Sequence, residues 1–126
     1  MTVLPLLPDA ELVVINHVRT HPTLTPLMTG GRVGTVLRAE RPFVQVNRVA
    51  GAPADGQEDL ARVQISVWHT SDALASELAR TIVATMPGIM GPNVRAWEVV
   101  LGPFSQPDED NKRYVLDVEL LIYAED

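Results

Sequence analysis

The sequence predicts an α+β fold, a small mixed and mostly antiparallel sheet with two main helices packed on it. Three observations carry this. In the stretch Ala61 to Trp68 the apolar residues Val63, Ile65 and Val67 alternate with Arg62, Gln64 and Ser66, the period of a strand with one wet face. From Ser71 the period lengthens to that of a helix, with Leu74, Leu78, Ile82 and Met86 four apart and Ala75 and Ala79 widening the stripe. In Arg113 to Tyr123 the residues Tyr114, Leu116, Val118, Leu120 and Ile122 share one strand face, opposite Arg113, Asp117 and Glu119. A one-sided strand and a one-sided helix must each bury an apolar face, so Leu74, Leu78 and Ile82 are expected against Val63, Ile65 and Val67. The 126 residues are read as one domain, 1–126, because a chain of this length holds a single core.

The remaining elements follow in order. Asp9, after Pro8, is an N-cap, Glu11 suits the positive end of the dipole, and a first helix runs to about His21, where Pro22 disfavours its continuation. Leu12, Val14, Ile15 and Val18 form its apolar face. Thr23 to Met28 reads as one further turn, and Gly30-Gly31 as a sharp change of direction. Arg32 to Leu37 carries a weak strand signal, interrupted by Gly34, and Phe43 to Val49 a clearer one. Ala50 to Asp59 is rich in Ala, Gly, Pro and acids without any period, so a long mobile loop is expected there. Trp68 breaks the alternation of the central strand on its polar side. The second helix takes Thr70 or Ser71 as its cap, with Asp72 in the first turn, and stops at Pro87-Gly88. After a partly packed loop at Ile89 and Met90, a strand spans Val94 to Leu101, with Trp97, Val99 and Leu101 on one side, and Gly102-Pro103 ends it. Ser105 to Lys112 reads as a second polar loop. The last strand is expected beside Val63 to Trp68.

Charge and composition set bounds on function. Ten basic against sixteen acidic residues give a net charge of -6, the wrong sign for holding nucleic acid by neutralising phosphates. Absence of cysteine excludes disulfides and thiolate zinc sites. No apolar run reaches the roughly 18 to 20 residues of a membrane span, and no signal peptide is read at the N-terminus, so a soluble intracellular protein is expected.

No motif makes a convincing active site. His17 and His21 have the spacing of a shared metal, but no glutamate stands beside His17 as a metalloprotease helix requires, and no metal is assigned. Ser66, His69 and Asp72 are the residue types of a hydrolytic triad without the glycine elbow that would expose the serine. Gly30-Gly31-Arg32-Val33-Gly34 lacks the Lys-Ser/Thr of a phosphate loop and opens no helix, which makes it a turn. Asp108-Glu109-Asp110 lacks the spaced oxygens, central glycine and distal glutamate of a calcium loop. No enzyme activity and no cofactor are expected. The two polar loops are the candidate partner interface, through Ala52, Asp55, Gln57, Glu58, Asp59, Asp108, Glu109, Asp110 and Lys112.

Several phrases of the chain, in their order and spacing, resemble the tail terminator, or tail-completion, minor tail proteins of long-tailed bacteriophages. They are Leu7-Pro8-Asp9-Ala10-Glu11-Leu12, Arg41-Pro42-Phe43-Val44-Gln45-Val46-Asn47-Arg48, Val63-Gln64-Ile65-Ser66-Val67-Trp68 before an alanine-rich helix, and Lys112-Arg113-Tyr114-Val115-Leu116-Asp117-Val118-Glu119-Leu120. The resemblance covers nearly the whole chain. It implies a structural virion protein that forms a hexameric ring on the head-proximal end of the tail tube, stops tube growth and offers the head-tail joining surface. Its implied partners are copies of itself, the tail tube protein and a head-tail connector protein, with genome DNA passing through unbound. Its implied location is the virion, after assembly in the host cytoplasm. Glu58, Asp59, Asp108, Glu109 and Asp110 are the candidates for acids facing the lumen. A head-completion or connector ring is the neighbouring alternative, and a small α+β ligand-binding or enzyme domain the distant one.

Overall fold

The computed structural model describes residues 7–55 and 58–124, without the side chains of 53–55. The elements run α1 (Ala10–Thr20), a 3-10 turn (Thr25–Met28), β1 (Arg32–Gly34), β2 (Phe43–Asp55), β3 (Glu58–His69), α2 (Asp72–Thr85), a second 3-10 turn (Met86–Ile89), β4 (Val94–Ser105) and β5 (Lys112–Tyr123). Five strands form one mixed sheet in the order β1-β2-β3-β5-β4. All neighbours are antiparallel except β1 and β2, which run parallel. The α+β architecture expected of the sequence is the one observed.

Both helices end where local chemistry ends them. Asp9 accepts from the amides of Glu11 at 2.9 Å and Leu12 at 3.4 Å, and Ser71 Oγ accepts from the Leu74 amide at 3.2 Å. Helix α1 stops before Pro22 and α2 before Pro87. Both lie on one face of the sheet, α1 against β2 and β1, α2 against β5, β3 and β4. Between them and the sheet sits the aliphatic core: Val14 and Val18 of α1, Ala75, Leu78, Ala79 and Ile82 of α2, and Val44, Val46, Val63, Ile65, Val67, Leu116, Val118, Leu120 and Ile122 from the strands. Strand β5 pairs with β3 along its whole length, Ile65 opposite Leu116 and Val63 opposite Val118, as expected.

Four expectations need correction. Leu74 is 44% exposed, because the buried stripe of α2 passes through Ala75, Leu78, Ala79 and Ile82, and Leu12 is likewise 53% exposed, because the buried side of α1 passes through Ala10, Val14, Ile15 and Val18. Leu101 is also exposed, since it stands opposite Asp117 on the far face, while Trp97 and Val99 stay on the helix side opposite Leu120 and Val118. A register slip between Val99 and Leu101 moves it there, and β4 then continues past Gly102-Pro103 to Ser105. The third is the loop expected over Ala50 to Asp59: β2 runs on to Asp55 and β3 begins at Glu58, while 56 and 57 lie outside the described residues. The ladder continues through Ala50 opposite Arg62, Gly51 opposite Ala61 and Ala52 opposite Leu60, with slips at Val49 and after Pro53. Gly51, at φ 103°, passes so close to the Leu60 carbonyl that a Cβ would collide with it. These residues lack the alternation that marks a strand because bulges break their period and small side chains carry no hydrophobic signal. Fourth, the strand expected over Arg32 to Leu37 is only Arg32–Gly34.

The face of the sheet away from the helices explains Trp68. It is buried, opposite Phe43 in the ladder, with the Arg113 guanidinium 4.9 Å and that of Arg41 5.9 Å from its ring. Its Nε1 donates to Gln45 Oε1 at 3.3 Å. Two guanidinium groups and a side-chain amide thus do for this tryptophan what a third layer would do in a larger protein.

Candidate partner surfaces

The sequence-derived interface residues divide into two groups at opposite ends of β5. Glu58 stands opposite Tyr123 and His69 opposite Lys112, so the two groups are separated by the full strand, roughly 35 Å. The structure therefore does not bring them into one site.

At the β2–β3 end, Ala52 is exposed, Asp55 belongs to the described residues by backbone alone, and Gln57 lies outside them. Glu58 is half-buried and its Oε1 accepts from Arg95 at 3.5 Å. Asp59 was expected to be a solvated, lumen-facing acid, and this is corrected: it is 4% exposed and accepts two hydrogen bonds of 2.6 Å from Arg48, one on each oxygen. The Arg48 amide donates in turn to Glu11 of α1 at 2.8 Å. The hydrogen bond to Asp59 holds the Arg48 pKa above its ordinary value, with Asp9 and Glu11 adding attraction. Asp59 thus fastens the end of the hairpin beneath α1.

At the β4–β5 end the turn is built as a tip. Asp108 and Asn111 exchange amide-to-carbonyl hydrogen bonds of 3.1 and 2.9 Å, leaving Glu109 and Asp110 at the apex, all of them exposed. Glu109 sits at φ 53°, the left-handed region that favours glycine. Lys112 is exposed at the base.

The residues weighed for chemistry have structural partners. Thr85 Oγ1 donates to the Ile82 carbonyl at 2.8 Å, so its 3.0 Å contact with His17 Nε2 needs the proton on that nitrogen. His21 Nδ1 accepts from the Thr23 amide at 3.1 Å, and the two imidazole rings lie 5.3 Å apart. Burial first, then the charge of His21, holds the His17 pKa below its ordinary value. Ser66 is buried on the Trp68 face of the sheet, His69 Nδ1 accepts from the Thr70 amide at 2.8 Å, and Asp72 is exposed in the first turn of α2. Among the described residues no group of three or more His, Asp or Glu is placed to hold a metal ion, and no helix is long and apolar enough to cross a membrane.

One feature was missed by sequence reasoning. A cleft of about 510 Å³ opens between the end of α1, the Gly30-Gly31 turn and β1, with Arg19, Arg32 and Arg38 in its lining and no carboxylate among the described lining residues. Thr25, Met28, Val33, Val36 and Phe43 supply much of the remaining wall. All three arginines are exposed; Arg19 donates to Asn16 Oδ1 at 2.8 Å, and Arg32 has a loose contact of 4.0 Å with Glu40. The signal in the sequence was arginine at 19, 32 and 38 around a double glycine, but without knowledge of how the turn folds back these are three unrelated surface charges.

No family model matches the chain, and no curated protein matches its sequence at a significant level.

Proposed function

We propose that the protein is a tail terminator of a long-tailed bacteriophage, a ring-forming structural subunit that caps the head-proximal end of the tail tube and stops its growth. The observation that carries this reading is the resemblance of Val63 to Trp68 and of Lys112 to Leu120 to that family. These two phrases lie on adjacent strands in antiparallel register, which supports reading them as one unit of structure. Two further features fit. His17 bonds Thr85, His69 bonds the Thr70 amide and Ser66 is buried in the sheet, while the polar surface at each end of β5 is open to partners. The separation of those ends by roughly 35 Å suits a subunit that carries distinct contact surfaces.

The test is location and consequence. An antibody or gold label directed to this chain should mark the joint between head and tail in purified particles. Particles assembled without it should carry overlong, headless tails. Tails of normal length in its absence, or a label on the head shell alone, would overturn the reading.

A further inference from the structure

We propose that the Arg19, Arg32 and Arg38 cleft is the docking site for the Asp108-Glu109-Asp110 tip of a second copy of this chain, so that subunits join head to tail. The proposal deepens the ring reading above and rests on it for closure.

The argument starts from where the charges lie. The cleft is formed in part by β1, at one edge of the sheet, and the tip joins β4 to β5 at the other edge. A single molecule therefore offers a basic recess on one side and an acidic projection on the opposite side. Such a pair cannot be satisfied within one chain across the width of five strands. Between copies it makes a heterologous contact, the kind that repeats in one direction and closes into a ring when the rotation allows.

The charges also match in detail. Three arginines face three carboxylates, in a protein that has only ten basic residues in all. The exceptions match too, since Glu40 stands beside Arg32 at the cleft and Lys112 follows the tip. Arg41, Arg48, Arg62, Arg95 and Arg113 have carboxylate or aromatic partners elsewhere, whereas the arginines of the cleft keep most of their donors open. Guanidinium is the cation best suited to bidentate recognition of carboxylates. A recess of about 510 Å³ with apolar walls at Met28, Val33 and Phe43 has room for the side chains of a hairpin tip.

The experiment is a charge swap on the full chain. One variant carries Arg19→Glu, Arg32→Glu and Arg38→Glu, the other Asp108→Lys, Glu109→Lys and Asp110→Lys. Self-association is followed by sedimentation at low and at high ionic strength. Wild type should assemble, less strongly as salt rises. Each variant alone faces like charge across every joint, and the concentration for half-assembly should rise about tenfold or more. Mixed in equal amounts, the two should assemble again, because every joint in an alternating ring is complementary, and the mixed particle should hold an even number of subunits. Restoration on mixing also proves that both variants are folded. Unchanged assembly of either variant, no recovery on mixing, or a wild type that stays monomeric at low salt would each overturn the contact. So would saturable binding of inorganic phosphate in the cleft with assembly indifferent to both reversals, which is the result a small-anion site gives. The tail reading fails separately, when labelled particles lack the chain at the head-tail joint.

Discussion

Individual side chains in this protein are decided by which face of an element they reach, and α2 illustrates it. Leu74 and Leu78 are one turn apart and look equivalent in the sequence, yet Leu78 is 2% exposed and Leu74 44%. Leu78→Ala should therefore cost roughly 2 to 5 kcal/mol, the range for a fully buried leucine, and Leu74→Ala less than about 1 kcal/mol. Denaturant midpoints of the two variants measure the difference; equal midpoints would mean the helix is rotated from its described phase. His17 supplies a second prediction at this scale. It lies neutral between α1 and the end of α2, with its pKa lowered, so the unfolded chain binds a proton more readily than the folded one. Its contribution is then fully present above the unfolded value of about 6.5 and declines as pH falls from there towards the lower folded value. Urea midpoints at pH 7.5 and 5.5 should show this loss, and His17→Gln, which keeps a donor for Thr85, should reduce it. A stability that rises on acidification would contradict the buried neutral imidazole.

At the scale of elements the two hairpins behave differently. The β2–β3 end is a continuation of the sheet, held by its ladder and by Arg48 and Asp59. Asp59→Ala removes the carboxylate partner of the Arg48 guanidinium, and deletion of 52–58 removes the paired strand ends themselves. Both should lower the thermal midpoint, the substitution by roughly 1 to 3 kcal/mol, less than for a deeply buried pair because a third of the arginine side chain is exposed. An Asp59→Ala variant as stable as wild type would show that the pair contributes nothing. The β4–β5 tip contrasts with this. Glu109 occupies a left-handed backbone conformation, so Glu109→Gly should leave stability unchanged or raise it by up to about 1 kcal/mol. A marked loss would mean that the glutamate side chain supports the fold. A residue kept where glycine would fit better, at an exposed apex, fits a tip whose acid serves a partner.

For the whole molecule, charge is the property that decides. A net charge of -6 leaves a surface that repels polyanions, with the arginine cleft as its local exception. The isolated protein should show no appreciable binding to duplex DNA near physiological salt, as fluorescence anisotropy of a labelled duplex would measure. Binding with a steep salt dependence would mean that basic residues gather on a path for DNA. In the proposed ring, Glu58 is what remains of the acids expected to face a lumen, because Asp59 lies inside the fold and Asp108, Glu109 and Asp110 are assigned to the subunit contact.

The sequence by itself determined the class of fold, both helix starts and the pairing partner of the central strand. Each of these rests on local physics: a period of two or of nearly four, a cap within three residues, a proline that forbids the next turn. It could not determine the strand from Ala50 to Asp55, whose residues carry no alternation and are held by a ladder to residues three to twelve positions away. Nor could it assign Asp59 to Arg48, place Trp68 beneath Arg41 and Arg113, or gather Arg19, Arg32 and Arg38 around one cleft. Those are contacts between residues on different elements, and which of them meet depends on register slips, on the turn at Gly30-Gly31 and on the order of strands. Only the folded chain brings such distant positions within hydrogen-bonding range, because the energy that selects them is gained by the sheet and core as a whole and not by any of the segments alone.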